Sequence, residues 1–426
     1  MHQHEPVVLV NNVYSYRELG DHSIIEAIVG YVRSVAPRAR IYLLSQYWEE
    51  NSEFYGKLGC RSLPPLWDIP MDDNKLRRGI LALRSLASLL IAVLRLKLGS
   101  KGKGLFPVLD LYQDATLIID AGGGTLFSSN RYAFYLGLYQ HLFNLWMAKL
   151  FGKPVVIAPQ SIGPFTKAID SYAVAAVLRK MDLVMVREPL SATLLDKFAI
   201  PYSVVPDTAF LGNFIKAPSP LAKSYLEKLD RNCLNIGVTV MDWRWAVPGA
   251  LKSKDYLSSY LCKIAEALKE SGSLHRVRVT IFVQVKTDYR DDDLEVSQRL
   301  QLLIDGNLAE VLLVHDILTP SDLYHLYKAM DLVVGTRLHS NILAMIQGVP
   351  TVGLSYQPKT KGTFALLGLN EFVLDVHDFS MEELLSIINE MLHRRKQLGV
   401  RFSKAAGSAR NAVEREFDAL IKPFLV

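Results

Sequence analysis

Cysteine is scarce in this chain. Cys60, Cys233 and Cys262 are its three thiols, and none stands in a CxxC pair or at a Cys/His ligand spacing, which excludes a disulfide framework and a zinc knuckle and fits a reducing compartment. Glycine (26) and proline (19) are thin for 426 residues, too few for a collagenous or low-complexity chain. Among the basic residues the apolar run is short as well: Ser85–Leu94 is ten residues without a charge, against the about 20 that a spanning helix needs. The first twenty residues carry Glu5, Pro6, Arg17 and Glu18 and no uncharged h-region before a small-residue cleavage site, so no secretory leader is expected and the protein is read as cytoplasmic. What is present is 50% hydrophobic and 21% charged residues, the balance of a globular protein long enough for two or three packed units.

Acidic residues are absent from one stretch. Between Asn74 and Gly104 stand Lys75, Arg77, Arg78, Arg84, Arg95, Lys97, Lys101 and Lys103 with no Asp or Glu, so the formal charge of +5 is local and the rest of the chain is slightly acidic. One basic segment beside apolar residues points to an anionic surface; nucleic acid would need basic stripes elsewhere too, and none is expected as a partner. Within it Arg77, Arg84, Ser88 and Arg95 share one helical face, with Leu83, Leu86, Ala87, Leu90, Ile91 and Leu94 on the others. Two readings stand: an interfacial helix over residues 77–98 that places the protein peripherally on the inner face of a membrane, or a core helix with snorkelling arginines.

Short β-branched runs alternate with helical patterns almost from end to end, the signature of parallel βα units. Strands are predicted near Val7–Val10, Ile41–Leu44, Thr116–Asp120, Val155–Ala158, Leu183–Val186 and Ser203–Val205, then near Leu234–Val240, Val277–Val283, Val311–Val314, Leu332–Gly335 and Thr351–Leu354. Gly212–Asn232, with Pro218 and Pro220, breaks the rhythm. The fold class is therefore α/β, two Rossmann-like domains over residues 1–215 and 216–426 facing across a cleft. The basic-apolar segment near 71–104 is an insert, and the last helix, about Phe402–Leu420, is a candidate to cross back to the first domain. Ligands of such sheets sit beyond the carboxyl ends of the strands.

The motifs fall on those ends. Ile118–Phe127 places Gly122, Gly123 and Gly124 between a strand and a helical pattern, where glycines serve either a tight turn or amides at a helix start that hold an anion. Ala158–Phe165 offers Gln160 and Ser161, as sugar contacts or as a polar turn capping the next helix. Arg187 and Asp207 end two further strands, as solvated loop residues or as part of a site. The densest cluster is Asp331–Pro350, strand, Gly-Thr-Arg, then a helix starting near His339. Arg337 suits a bidentate phosphate or carboxylate, and His339 suits either proton transfer or a structural hydrogen bond. The following loop, Leu354–Gly362, brings Tyr356, Gln357, Lys359 and Lys361 to the same edge.

In order and spacing these motifs, GGGTLF, APQSIGP, the VRE pattern from Val186 to Leu195, VPDTAF, and GTRLHSNILAMIQGVP followed by LSYQPK, with Gly20 and Asp21 of YRELGDHSII before them, resemble the polysaccharide pyruvyl transferase family over about Tyr16–Gly368. The resemblance implies a glycosyltransferase-B-like fold, phosphoenolpyruvate as donor and co-substrate, and a glycan acceptor, a lipid-linked sugar if residues 77–98 rest on a membrane; no metal and no cofactor is expected, because the sequence offers no convergent ligand set. It implies His339 as general acid at the RLHS position; the carboxylate and phosphate of such a donor would need cationic or amide clamps, for which Arg337, the helix start Leu338–Ser340, Lys359 and Arg187 are the candidates, with Asp21 or Asp207 the candidate at the acceptor hydroxyl. Trp243 and Trp245 depart from the pattern and are candidate specificity devices. Two other classes remain open: a glycosyltransferase with a nucleotide-sugar donor, which would want an acidic residue for the ribose where this chain has basic ones, and a non-catalytic sugar- or phosphate-binding protein.

Overall fold

A computed structural model describes residues 5–68, 75–97, 107–128, 132–230, 232–246, 255–287, 292–304 and 311–426. Lys101 and Lys103 of the basic stretch, and the side chain of Trp245, lie outside what is described. The chain packs as two compact units: Met1–Tyr16, Ile28–Val205 and Arg415–Val426 form the first, and Arg17–Ala27 with Pro206–Glu414 the second. The change after Val205 thus comes earlier than the expected 215, the segment Arg17–Ala27 groups with the second unit, and the end of the last helix, Arg395–Leu420, groups with the first.

The first unit holds β1 (Val7–Val13), β2 (Arg40–Ser45), β3 (Cys60–Leu63), β4 (Leu117–Asp120), β5 (Gly123–Leu126), β6 (Val155–Ile162), β7 (Leu183–Val186) and β8 (Ser203–Val204). They make one sheet in the order β3-β2-β1-β4-β6-β7-β8, with β5 paired to β6 off that path, and every pairing is parallel. A parallel sheet carries helices on both faces, so its central strands must be apolar throughout. Val155, Val156, Ile157 and Ala158 of β6 are accordingly fully buried.

The second unit holds β9 (Leu234–Thr239), β10 (Val277–Phe282), β11 (Val311–Val314), β12 (Leu332–Gly335), β13 (Thr351–Ser355) and β14 (Val373–Asp375), all parallel in the order β11-β10-β9-β12-β13-β14. Ile236, Val238, Leu332, Val333 and Val334 form its buried centre. Two helices here start with reciprocal caps: Thr319 with Asp322 before Pro320–Lys328, and Ser380 with Glu383 before Met381–His393. Each pair satisfies backbone donors that the first turn leaves open.

Both sheets reverse direction of winding next to their first strand, β1 beside β4 and β9 beside β12. Such a switch leaves a notch at the carboxyl ends where two loops diverge. The α/β class with two Rossmann-like units is what the sequence predicted. Three short strands, β3, β5 and β14, were not foreseen, and the Gly212–Asn232 break contains a helix, Pro220–Glu227, started by Ser219. The segment read as a loop after Tyr356 is a helix too, Pro358–Leu366, because Pro358 occupies its first position with a compatible φ.

Candidate functional site

The second unit assembles a cluster where β12 ends. Arg337 is the N-cap of the helix Leu338–Ile346, so His339 rides on the first turn, where open backbone N–H groups create positive potential. The imidazole has close neighbours on two sides. Its Nε2 lies 3.4 Å from Asp207 Oδ2, with the histidine side chain 12% exposed and the aspartate fully buried. Asp207 is fixed in turn, its Oδ1 accepting from Ala209 N (2.9 Å) as it caps the turn Thr208–Leu211. On the other side is Gly20: a Cβ there would stand 2.1 Å from His339 Nδ1. The glycine of the Gly-Asp pair is thus required by contact with the ring. It is delivered by the start of the helix Leu19–Val35, which is tied to the loop after β10 by Leu19 N to Gln284 O (3.2 Å) and Lys286 N to Arg17 O (3.3 Å). Glu18 accepts from Asp21 N at 2.5 Å and so caps that helix.

Arg337 makes a two-pronged pair with Asp293, Nε to Oδ2 at 3.0 Å and Nη2 to Oδ1 at 2.6 Å. Asp293 is 1% exposed and accepts also from Val285 N (3.2 Å). Burial works against the guanidinium's charge, but Asp293, by its charge and its hydrogen bonds, with Tyr356 and Glu18 behind it, holds the pKa of Arg337 above its ordinary value. The cation is permanent, with one edge occupied by carboxylate. Lys359 Nζ lies 5.2 Å from the centre of the Tyr356 ring, a cation–π contact. Lys361 pairs instead with Asp375 (2.5 Å). Leu338 is buried, and Ser340 is buried with its hydroxyl engaged, donating to Arg337 O (2.6 Å) and meeting Thr239 Oγ1 (2.8 Å). Ser340 therefore braces the helix start against β9.

In the first unit the same kinds of residue are engaged with one another. Gly122 and Gly123 take φ of +82° and +81°, a region that other residues adopt only at a cost. Of the two readings of these glycines, the helix start is not what forms: Gly123–Leu126 is β5, which pairs through Gly123 with Gln160 and through Leu126 with Ile162, and the next helix starts at Tyr132. The reason is Gln160. Fully buried and oriented so that both ends of its amide are satisfied, it donates to Gly122 O (2.9 Å) and accepts from Thr125 N (3.0 Å) and Leu126 N (2.9 Å). Gly124 faces Arg187, whose buried guanidinium donates from Nε to Ser161 Oγ (2.6 Å). Ser161 donates onward to Glu188 Oε2 (2.8 Å), and Ser191 accepts from Ile162 N (2.7 Å) while bonding Glu188. Arg187 and Asp207 are thus buried and not solvated loop residues, and Gln160 and Ser161 lie within β6, not in a turn that caps the next helix.

Sequence reasoning passed over three groups. Asp293 sits in an acidic run whose neighbour Asp292 caps the helix Leu294–Ile304, accepting from Leu294 N (2.6 Å); a cap reading hides that the next carboxylate turns inward. Glu18 stands beside Gly20 and Asp21 in YRELGDHSII with no part of its own assigned to it. Asp120 ends β4 at the first unit's switch point, fully buried, with Oδ1 accepting from Asn12 Nδ2 (2.7 Å) and Oδ2 without a hydrogen-bond partner among the described residues. Burial, opposed by Asn12 and by the Ala121 amide, pushes its pKa up to about 7. Trp243, a candidate specificity device, is buried against Tyr260 and His377 in the second unit's interior. An indole so placed serves packing.

Known proteins resemble this arrangement at two levels. The sequence profile of the polysaccharide pyruvyl transferase family matches residues 19–358. The amylovoran biosynthesis protein AmsJ of Erwinia amylovora is 24% identical over 306 residues, 65% of this chain and 68% of that protein. Among solved structures, Anabaena HepE in complex with UDP and glucose superposes with a TM-score of 0.61 at 15% identity over 98% of this chain and 100% of that one. The UDP-GlcNAc 2-epimerase from Neisseria meningitidis gives 0.59 at 11% over 98% and 100%. At such identities the structural likeness speaks for the fold, that of the glycosyltransferase-B class, and the sequence match carries the rest. By that match, which spans both strand-end clusters, the chain belongs to the polysaccharide pyruvyl transferase family.

Proposed function

We propose that the protein transfers the pyruvyl group of phosphoenolpyruvate onto two hydroxyls of a sugar in a surface polysaccharide or its lipid-linked precursor, forming a cyclic ketal and releasing phosphate. The observation that carries this reading is the second unit's pair of pairs, His339 with Asp207 and Arg337 with Asp293, at one helix start. Family membership and the likeness to a protein named for amylovoran biosynthesis support the polysaccharide side of it.

The chemistry needs a proton for the donor's methylene carbon. His339, as general acid, gives it while a sugar hydroxyl oxygen bonds to the central carbon and its proton passes to a carboxylate. The second hydroxyl oxygen then bonds to that carbon, its proton leaves to base, and the bond to phosphate breaks. Asp207 fixes the ring for the transfer, so its part is positioning. Asp21, next to the glycine that touches the ring, is the candidate for the acceptor hydroxyl. The donor's carboxylate and phosphate call for fixed positive groups: Arg337, Lys359 and the amides of the helix start supply them without reorganising during reaction.

The test is phosphate release from phosphoenolpyruvate by the purified protein with a panel of free and lipid-linked glycosides, run beside a nucleotide-sugar panel. Release that requires an acceptor and disappears in His339→Ala is the expected result. Consumption of a nucleotide sugar with no phosphate from phosphoenolpyruvate would overturn the reading in favour of glycosyl transfer.

A further inference from the structure

The helix Lys75–Lys97 of the first unit has two apolar faces. Its inner face is marked by Ala82, whose carbonyl accepts from the Trp67 indole (3.1 Å), and by Leu89, 1% exposed and part of the unit's core. The outer face carries Ile80, Leu83, Leu90, Ile91 and Leu94, with Leu83 68% and Leu94 59% exposed. Positions 80, 83, 87, 90 and 94 alternate steps of three and four, so they form one stripe. Elsewhere among the described residues exposed large apolar side chains are spread over many elements. A continuous stripe is the kind of surface that soluble monomers avoid unless something covers it. Arg77 and Arg84 are exposed along its border.

We infer that this face rests on an anionic lipid surface, with the helix in the plane of the interface, Leu83, Leu90 and Leu94 at the acyl boundary and Arg77 and Arg84 among lipid phosphates. Charge selects this occupant. The helix contains six basic residues and no acidic one, so a second copy laid along it would set like charges side by side, whereas anionic headgroups neutralise them. No helix among the described residues is long and apolar enough to cross a membrane, so the contact runs along the surface. The inference does not depend on the reaction proposed above.

Flotation of the full chain with phosphatidylcholine vesicles, and with vesicles containing phosphatidylglycerol as well, tests it. Binding is expected only to the anionic vesicles and is weakened by salt. Arg77→Gln with Arg84→Gln should lower partition on the order of thirtyfold, and Leu83→Ser with Leu90→Ser and Leu94→Ser should lower it to background. Both variants keep the wild-type melting temperature, since the altered side chains are exposed. Absence of flotation, equal flotation of the leucine variant, or a wild-type dimer that the leucine variant dissociates would each overturn the inference.

Discussion

The two units place similar residues at similar strand ends and use them differently. In the first, Gln160, Ser161, Arg187 and Glu188 bond to one another and to the glycine segment, and the result is a rigid, buried frame. In the second, Arg337 and His339 each meet one buried carboxylate and the ring of His339 keeps some exposure. A fully satisfied buried network specifies structure. A cation and an imidazole oriented by carboxylates at a helix start can act on a ligand. The lesson is that arginine after a strand carries no fixed meaning: its partners decide its part.

The contrast can be broken by substitution, starting with the strongest effect. His339→Ala should lower phosphate release from phosphoenolpyruvate by about a thousandfold while the melting temperature stays near wild type; equal turnover would remove the second unit's claim to the chemistry. Asp293→Ala leaves the cation of Arg337 buried without its partner, and denaturant unfolding should register a loss of roughly 3 kcal/mol. Gly20→Ala puts a methyl into the space of His339 Nδ1; steady-state kinetics should show turnover down by about a hundredfold with donor KM little changed, the cost of a ring displaced by about an ångström.

Two smaller effects test the first unit. Asp120 has a raised pKa when folded, so the native state holds its proton more tightly than the unfolded one. Its contribution to stability is complete below about pH 4 and is lost as pH rises to about 7, at up to about 1.4 kcal/mol per pH unit. Wild-type unfolding free energy should therefore fall by about 2 kcal/mol between about pH 5.5 and 7.5 on this account, and Asp120→Asn should flatten that slope; an unchanged slope in the variant would contradict the assignment. Gln160→Ala should cost about 1–2 kcal/mol by leaving the Thr125 and Leu126 amides unpaired, read by thermal unfolding. If it instead raised the acceptor KM with stability intact, the glutamine would be a ligand contact and the contrast between the units would weaken.

Much of this was legible in the residues. Apolar β-branched runs followed by helical periods announce parallel βα units, because a strand buried on both faces has no place for polar alternation. The strand and helix starts around Asp331–Pro350 were legible for the same reason, and so was the pairing of Arg337 and His339 at one helix start. The short strands were not. β5 contains two glycines and a threonine, which have no apolar pattern, and it exists because the buried amide of Gln160 binds its backbone. The helix after Tyr356 hid behind lysines and a proline that read as loop.

What the amino-acid sequence determined by itself is the alternation of elements, the chemical inventory at their carboxyl ends, the family, and the acid-free basic helix. Only the tertiary structure decided which of those groups face each other. Parallel pairing places strands side by side that are far apart in the chain, so the partners of Arg337 and His339, Asp293, Gly20 and Asp207, come from three separate segments. No local pattern encodes such partners, because the field that a charged group feels is set by what folding packs around it.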